Sequence, residues 1–176
     1  MLRRTLLSTV PATLLAQSRQ APVAPPDRLR ASIERITKSV NATWGVYVKC
    51  LETGEEVSLD ANRQMDTMST IKIPIMIEAF RQVEEGKFSL SDRVQLHDDD
   101  RRPGTGIIRS LDTGAGLTVK DLITLMIIVS DNTATDLLFA KVGGIDPVNR
   151  LMTGYGLTQT RAVATGSVWF AALRAA

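Results

Sequence analysis

At 176 residues with a formal net charge of +2, the chain is sized for one domain that can bury a real core. Its 44% hydrophobic and 23% charged residues are ordinary for a soluble globular protein. The charge balance argues against a nucleic-acid binder, which concentrates excess basic charge on one face. No apolar run nears the roughly 20 residues needed to cross a bilayer, so no membrane span is expected.

Met1-Leu2-Arg3-Arg4 is a short positive region, Thr5 to Ala16 is mostly apolar, and Ala16-Gln17-Ser18 offers small residues for cleavage. This order predicts an export signal over residues 1–18, and hence a periplasmic or secreted protein. Its removal leaves 19 basic and 19 acidic residues. Residues 19–26 read as a linker.

Asp27 then caps a predicted helix with Leu29, Ile33, Ile36 and Val40 along one stripe. Trp44 to Leu51 and Glu56 to Asp60 read as strands joined by a turn at Glu52-Thr53-Gly54-Glu55. Cys50, the only cysteine, falls inside the first strand and reads as a small buried side chain. Ser69 to Phe80 is apolar on nearly every side, which predicts a fully buried helix; Pro74 predicts a tightened or kinked first turn.

Ser89 to Gly116 is expected to be loop, turning at Pro103-Gly104, with the single histidine, His97, solvated beside Asp98-Asp99-Asp100. One histidine with no cysteine nearby predicts no metal site. Thr118 and Asp121 form a capping box opening a very apolar helix through Val129. Ser130-Asp131-Asn132 interrupts it. A helix resumes from Thr133 to Val142 and ends at Gly143-Gly144; short helices follow from Asp146-Pro147 and over Val168 to Ala175.

Two clusters carry chemistry. Ser69-Thr70-Ile71-Lys72 sits at a helix start, where a spacing of three places serine and lysine on one face. A serine hydroxyl needs a base, and desolvation can make a lysine one. The N–H groups of a helix start can hold an oxyanion. Ser130-Asp131-Asn132 sets three polar residues into an apolar environment. There Asp131 can satisfy backbone donors, Ser130 can relay a proton, and Asn132 can hydrogen-bond a substrate amide. Alone, the first cluster also fits a helix cap with a surface lysine, and the second a capping turn.

Taken together, Met68-Ser69-Thr70-Ile71-Lys72 and Ser130-Asp131-Asn132-Thr133-Ala134, with 61 residues from serine to serine, resemble the class A β-lactamases and related penicillin-recognising hydrolases. The resemblance runs from about residue 27 to about residue 161. It implies an α+β fold of the β-lactamase type, a helical subdomain beside an antiparallel sheet backed by helices. It implies that Ser69 is acylated, Lys72 helps activate it, Ser130 shuttles a proton, Asn132 positions a β-lactam or peptidoglycan-like acyl donor, and Asp131 is structural. No cofactor and no metal are implied, and a monomer is expected.

Two departures from the family stand out. Residues 160–166 hold no acidic residue where hydrolytic members carry a deacylating glutamate. No Lys-Thr-Gly strand follows, and Lys141-Val142-Gly143 ends a helix instead. The expectation is a C-terminally truncated member lacking later strands. The enzyme it represents hydrolyses β-lactams, acylates without efficient turnover as penicillin-binding D,D-peptidase-like enzymes do, or is an inactive remnant, and the chain as given is expected to have little or no activity.

Overall fold

The computed structural model describes residues 25–175. The expected export signal and residues 19–24 of the expected linker lie outside the described residues. The chain divides into two compact units, parted after Met65.

In the first unit, helix α1 spans Pro25–Ser39, and strands β1 (Val46–Lys49) and β2 (Glu56–Leu59) form an antiparallel hairpin. The helix therefore starts two residues before Asp27, inside the expected linker, with Asp27 in its first turn. A proline fits a first helical turn because the N–H it lacks has no partner there. β1 pairs Val46 with Leu59 through Lys49 with Glu56, and Lys49 Nζ meets the Glu56 carboxylate at 2.8 Å. Val57 is the buried apolar residue of this hairpin. Cys50 falls just beyond β1 rather than inside it. It is half-buried at the turn, where its thiol donates to Glu52 Oε2 at 3.2 Å.

The second unit holds a continuous apolar core built from Ile75, Ala79, Leu122, Met126, Leu138, Val148 and their neighbours. Helix α2 (Lys72–Glu84) follows a 3-10 turn over Met68–Ile71, so the first turn is tightened, as Pro74 predicts. Full burial of this helix is not what forms. Ile73 and Phe80 are exposed, while Glu78 and Gln82 are buried. The buried carboxylate is matched by donors: Arg81 Nε and Nη2 reach it at 2.7 and 2.8 Å, and Gln82 Nε2 at 2.7 Å. Burial pushes the Glu78 carboxyl upward, but these donors outweigh it and hold it below its usual value. Gln82 Nε2 also reaches Val142 O at 2.8 Å.

The stretch expected to be loop contains a three-residue strand, β3 (Arg93–Gln95), and ends where a second, β4 (Gly116–Thr118), begins; the two pair antiparallel. Runs this short cannot display the alternation that reveals a strand. His97 is exposed, and its N–H donates to Asp100 Oδ2 at 2.8 Å in a small 3-10 turn. Helix α3 (Val119–Ile128) opens with the capping box of Thr118 and Asp121. Ile127, Ile128 and Val129 at its end are exposed, so this helix too is buried on one side only. Helices α4 (Asn132–Val142), α5 (Ile145–Gly154) and α6 (Gly166–Ala175) complete the unit; each begins one or two residues earlier than expected. Gly143 ends α4 in the left-handed region, φ 93°, which a glycine adopts without steric cost.

Candidate active site

The turn between α3 and α4 is built around one carboxylate. Asp131 is 1% exposed. Its Oδ1 accepts from Ala134 N at 2.9 Å, capping α4, and its Oδ2 accepts from Ile107 N and Ile108 N at 2.7 and 2.9 Å. That hub holds Ser130 at φ 56°, a left-handed conformation uncommon for a residue with a side chain. Met68, just before Ser69, is also left-handed at φ 47°. Strain of this kind persists only where the surroundings over-determine it.

The structure brings Ser69, Lys72, Ser130 and Asn132 together. Ser69 Oγ lies 2.9 Å from Ser130 Oγ. Lys72, 5% exposed, spends its three donors on Ser130 O at 2.6 Å, Ser130 Oγ at 2.8 Å and Asn132 Oδ1 at 3.0 Å. Lysine therefore reaches Ser69 by way of Ser130, not as the direct partner that the spacing of three suggests. Burial lowers the basicity of the Lys72 amine, opposed by the negative charge of Asp131. Asn132 is oriented from both ends: its Oδ1 accepts from Lys72, and its Nδ2 donates to Pro103 O at 2.9 Å.

Sequence reasoning missed the segment that clamps this turn. Asn132 N donates to Thr105 O at 3.0 Å, and Thr105 Oγ1 donates to Ser130 O at 2.8 Å. Arg102 N donates to Thr133 Oγ1 at 3.0 Å, and Arg102 Nε pairs with Asp136 at 2.5 Å. Asp136 also accepts from Gly166 N and Ser167 N at 2.7 and 2.8 Å, where α6 begins. The signal was present as glycines at 104 and 106 around Thr105, more glycine than the one turn assigned there requires. A Cβ on Gly104 would stand 2.8 Å from Asn132 Nδ2, and one on Gly106 would collide with the Asp131 carboxylate. Gly106 also has φ 118°. Gly106→Ala is therefore expected to destabilise the protein by about 2 kcal/mol or more, read as a lower urea midpoint.

Residues 160–165 form no helix or strand. Asn149 ties them down at Ala162 by two hydrogen bonds of 2.8 Å.

With this geometry in place, comparison with known proteins gives a consistent result. The model of the beta-lactamase enzyme family matches residues 28–174, and the chain belongs to that family. It is 29% identical over 150 residues to beta-lactamase L2 of Stenotrophomonas maltophilia, covering 84% of this chain and 49% of that one. It is similar to the crystal structure of a beta-lactamase from Sphaerobacter thermophilus, with a TM-score of 0.72 and 34% identity over 77% of this chain and 51% of that one. It is also similar to a point mutant of PBP-A solved as an acyl-enzyme complex with penicillin-G, with a TM-score of 0.73 and 27% identity over 84% and 56% of the two chains. The fold is that of the beta-lactamases, six helices with small antiparallel sheets among the described residues. The chain spans about half the length of the curated relatives it matches.

Proposed function

We propose that this chain carries the acylation site of a serine β-lactamase-type hydrolase. The supporting observation is the continuous path from Ser69 Oγ to Ser130 Oγ to Lys72 Nζ, with links of 2.9 and 2.8 Å. With Lys72 neutral, its lone pair takes the Ser130 proton as Ser130 takes that of Ser69. Ser69 Oγ forms a bond to the β-lactam carbonyl carbon. As the ring C–N bond breaks, Ser130 returns a proton to the leaving nitrogen and is reprotonated by Lys72. The backbone N–H of Ser69 is the candidate donor to the developing oxyanion. Asn132 Nδ2 carries a second hydrogen, beyond the one given to Pro103, for a substrate amide.

A second reading shares the first half of this chemistry. The absence of an acidic residue in 160–166 favours an acyl enzyme that forms readily and hydrolyses slowly, and similarity to PBP-A points the same way. Incubation of the protein with a reporter penicillin decides between them. Turnover supports the hydrolase, and a lasting mass increase mapped to Ser69 supports the acyl enzyme. The absence of both turnover and adduct would defeat both readings.

The pH dependence follows from the state of Lys72. Only the neutral amine accepts a proton, and burial lowers its pKa. Acylation should thus speed up as pH rises through a midpoint below the ordinary lysine value. Stopped-flow acylation rates across pH provide the check. A limb centred at the ordinary lysine value would remove Lys72 from the role.

A further inference from the structure

We propose that Thr105 is a positioning residue for proton transfer at this site: its hydroxyl shares the Ser130 carbonyl with Lys72 and so keeps the lysine in line with Ser130 Oγ. The proposal rests on the reading of Lys72 as proton acceptor and adds a residue outside the two motifs.

The geometry is specific. Ser130 O accepts from Lys72 Nζ at 2.6 Å and from Thr105 Oγ1 at 2.8 Å, which uses both lone pairs of one carbonyl. Thr105 cannot drift from this place. Its own carbonyl accepts from Asn132 N at 3.0 Å. The residues on either side are fastened by Pro103 O to Asn132 Nδ2 and by Ile107 N to Asp131 Oδ2. The glycines flanking Thr105 have φ 88° and 118° and pass too close to Asn132 and Asp131 for any side chain. A segment fitted this tightly delivers one hydroxyl to one carbonyl.

A carbonyl oxygen engaged by a second donor is a weaker acceptor for an ammonium. With Thr105 in place, Lys72 in its charged form is held less firmly by Ser130 O, and transfer along Ser130 Oγ is favoured over a static bond to the carbonyl. Removing the hydroxyl leaves that carbonyl wholly to Lys72. The charged form gains, and the midpoint for Lys72 titration rises. Thr105 is exposed, so water takes part of the vacated place, and the expected rise is about half a pH unit. Among the described residues, the other charges at the site are constant across the comparison. Asp131 is the charge that acts on Lys72. Arg102 is paired with Asp136 on the clamp and α4, and Glu78 with Arg81 along α2.

The experiment titrates Lys72 by NMR of lysine labelled at Cε, with the signal assigned by its loss in Lys72→Arg. The protein is compared with Thr105→Val and Thr105→Ser. The expected result is a midpoint raised by about half a unit in Thr105→Val and unchanged in Thr105→Ser. An unchanged midpoint in Thr105→Val, or an equal rise in Thr105→Ser, overturns the proposal. Should Thr105→Val fail to fold, Thr105→Ala replaces it under the same criterion. The titration needs no substrate, so it stands apart from penicillin labelling. A missing adduct with the shift present defeats the acylation reading alone, and an adduct without the shift defeats the positioning role alone.

Discussion

Ser69→Ala is expected to reduce penicillin labelling to the limit of detection, whereas Ser130→Ala slows labelling by about 10²–10⁴-fold and leaves the adduct on Ser69. The contrast matters because contact distance alone favours the other serine. Lys72 Nζ touches Ser130 Oγ at 2.8 Å and meets Ser69 only through it. Ser130, however, is occupied on every side: Lys72 and Ser69 hold its hydroxyl, and Lys72 and Thr105 hold its carbonyl. Ser69 is exposed, has Ser130 as the hydrogen-bond neighbour of its hydroxyl, and lies in the first turn of the helical run that leads into α2. It can meet an incoming carbonyl with backbone donors close by. A relay group removed leaves the nucleophile in place, with water as an inferior proton acceptor. A nucleophile removed leaves nothing to acylate. Peptide mapping of the labelled protein reads the outcome. A label that survives in Ser69→Ala and vanishes in Ser130→Ala would reassign the nucleophile to Ser130.

Asp131→Ala is expected to cost about 3–5 kcal/mol of stability. Three backbone N–H groups, of Ile107, Ile108 and Ala134, would lose their acceptor at a position 1% exposed to solvent. Each buried donor left without a partner costs about 1–3 kcal/mol, partly relieved where water enters. The loss also strips the cap from α4. Against a total stability of about 5–15 kcal/mol for an ordinary domain, this brings the protein close to unfolding. Asp131→Asn is a sharper probe. Its oxygen can still cap Ala134, but its amide would face Ile107 and Ile108 donor to donor, so it recovers only part of the loss. Urea denaturation followed by circular dichroism measures both, with Asp99→Ala as a control at an exposed carboxylate. A midpoint unchanged in Asp131→Ala would show that the hub is dispensable.

How much of this was legible beforehand depends on what each feature leaves in a linear pattern. The helices and the first hairpin announce themselves through caps, glycine stops and apolar spacing, and their positions differ from expectation by a few residues at most. The four candidate site residues come from two short motifs, and the fold brings those motifs into contact. What stayed hidden has a common cause. Glu78 and Gln82 are buried because the Gln82 amide donates both to the Glu78 carboxylate four residues before it and to the Val142 carbonyl at the end of α4, 60 residues on, and no local periodicity records that. Lys72 turns to Ser130 instead of Ser69 because the carbonyl of a left-handed residue points at it, which helical spacing cannot anticipate. Residues 102–108 have loop composition and no repeat, yet their backbone partners lie at Ser130 to Asp136. Arg102 and Thr105 are ordinary residues in sequence and acquire meaning only from those partners.

The way residues 102–108 are held bears on how the site would meet a ligand. A loop beside a binding site commonly opens and closes, and its closure has to be driven by part of the binding energy. Here the loop's hydrogen bonds end on Ser130, Asp131, Asn132, Thr133 and Asp136, so lifting it would dismantle the same turn that presents Ser130 and Asn132. Local opening and loss of the site are one event. On the proposed reading the arrangement is preorganised: a ligand arriving at Ser69 would find Ser130, Lys72 and Asn132 already oriented, with little of its binding energy diverted to ordering the chain.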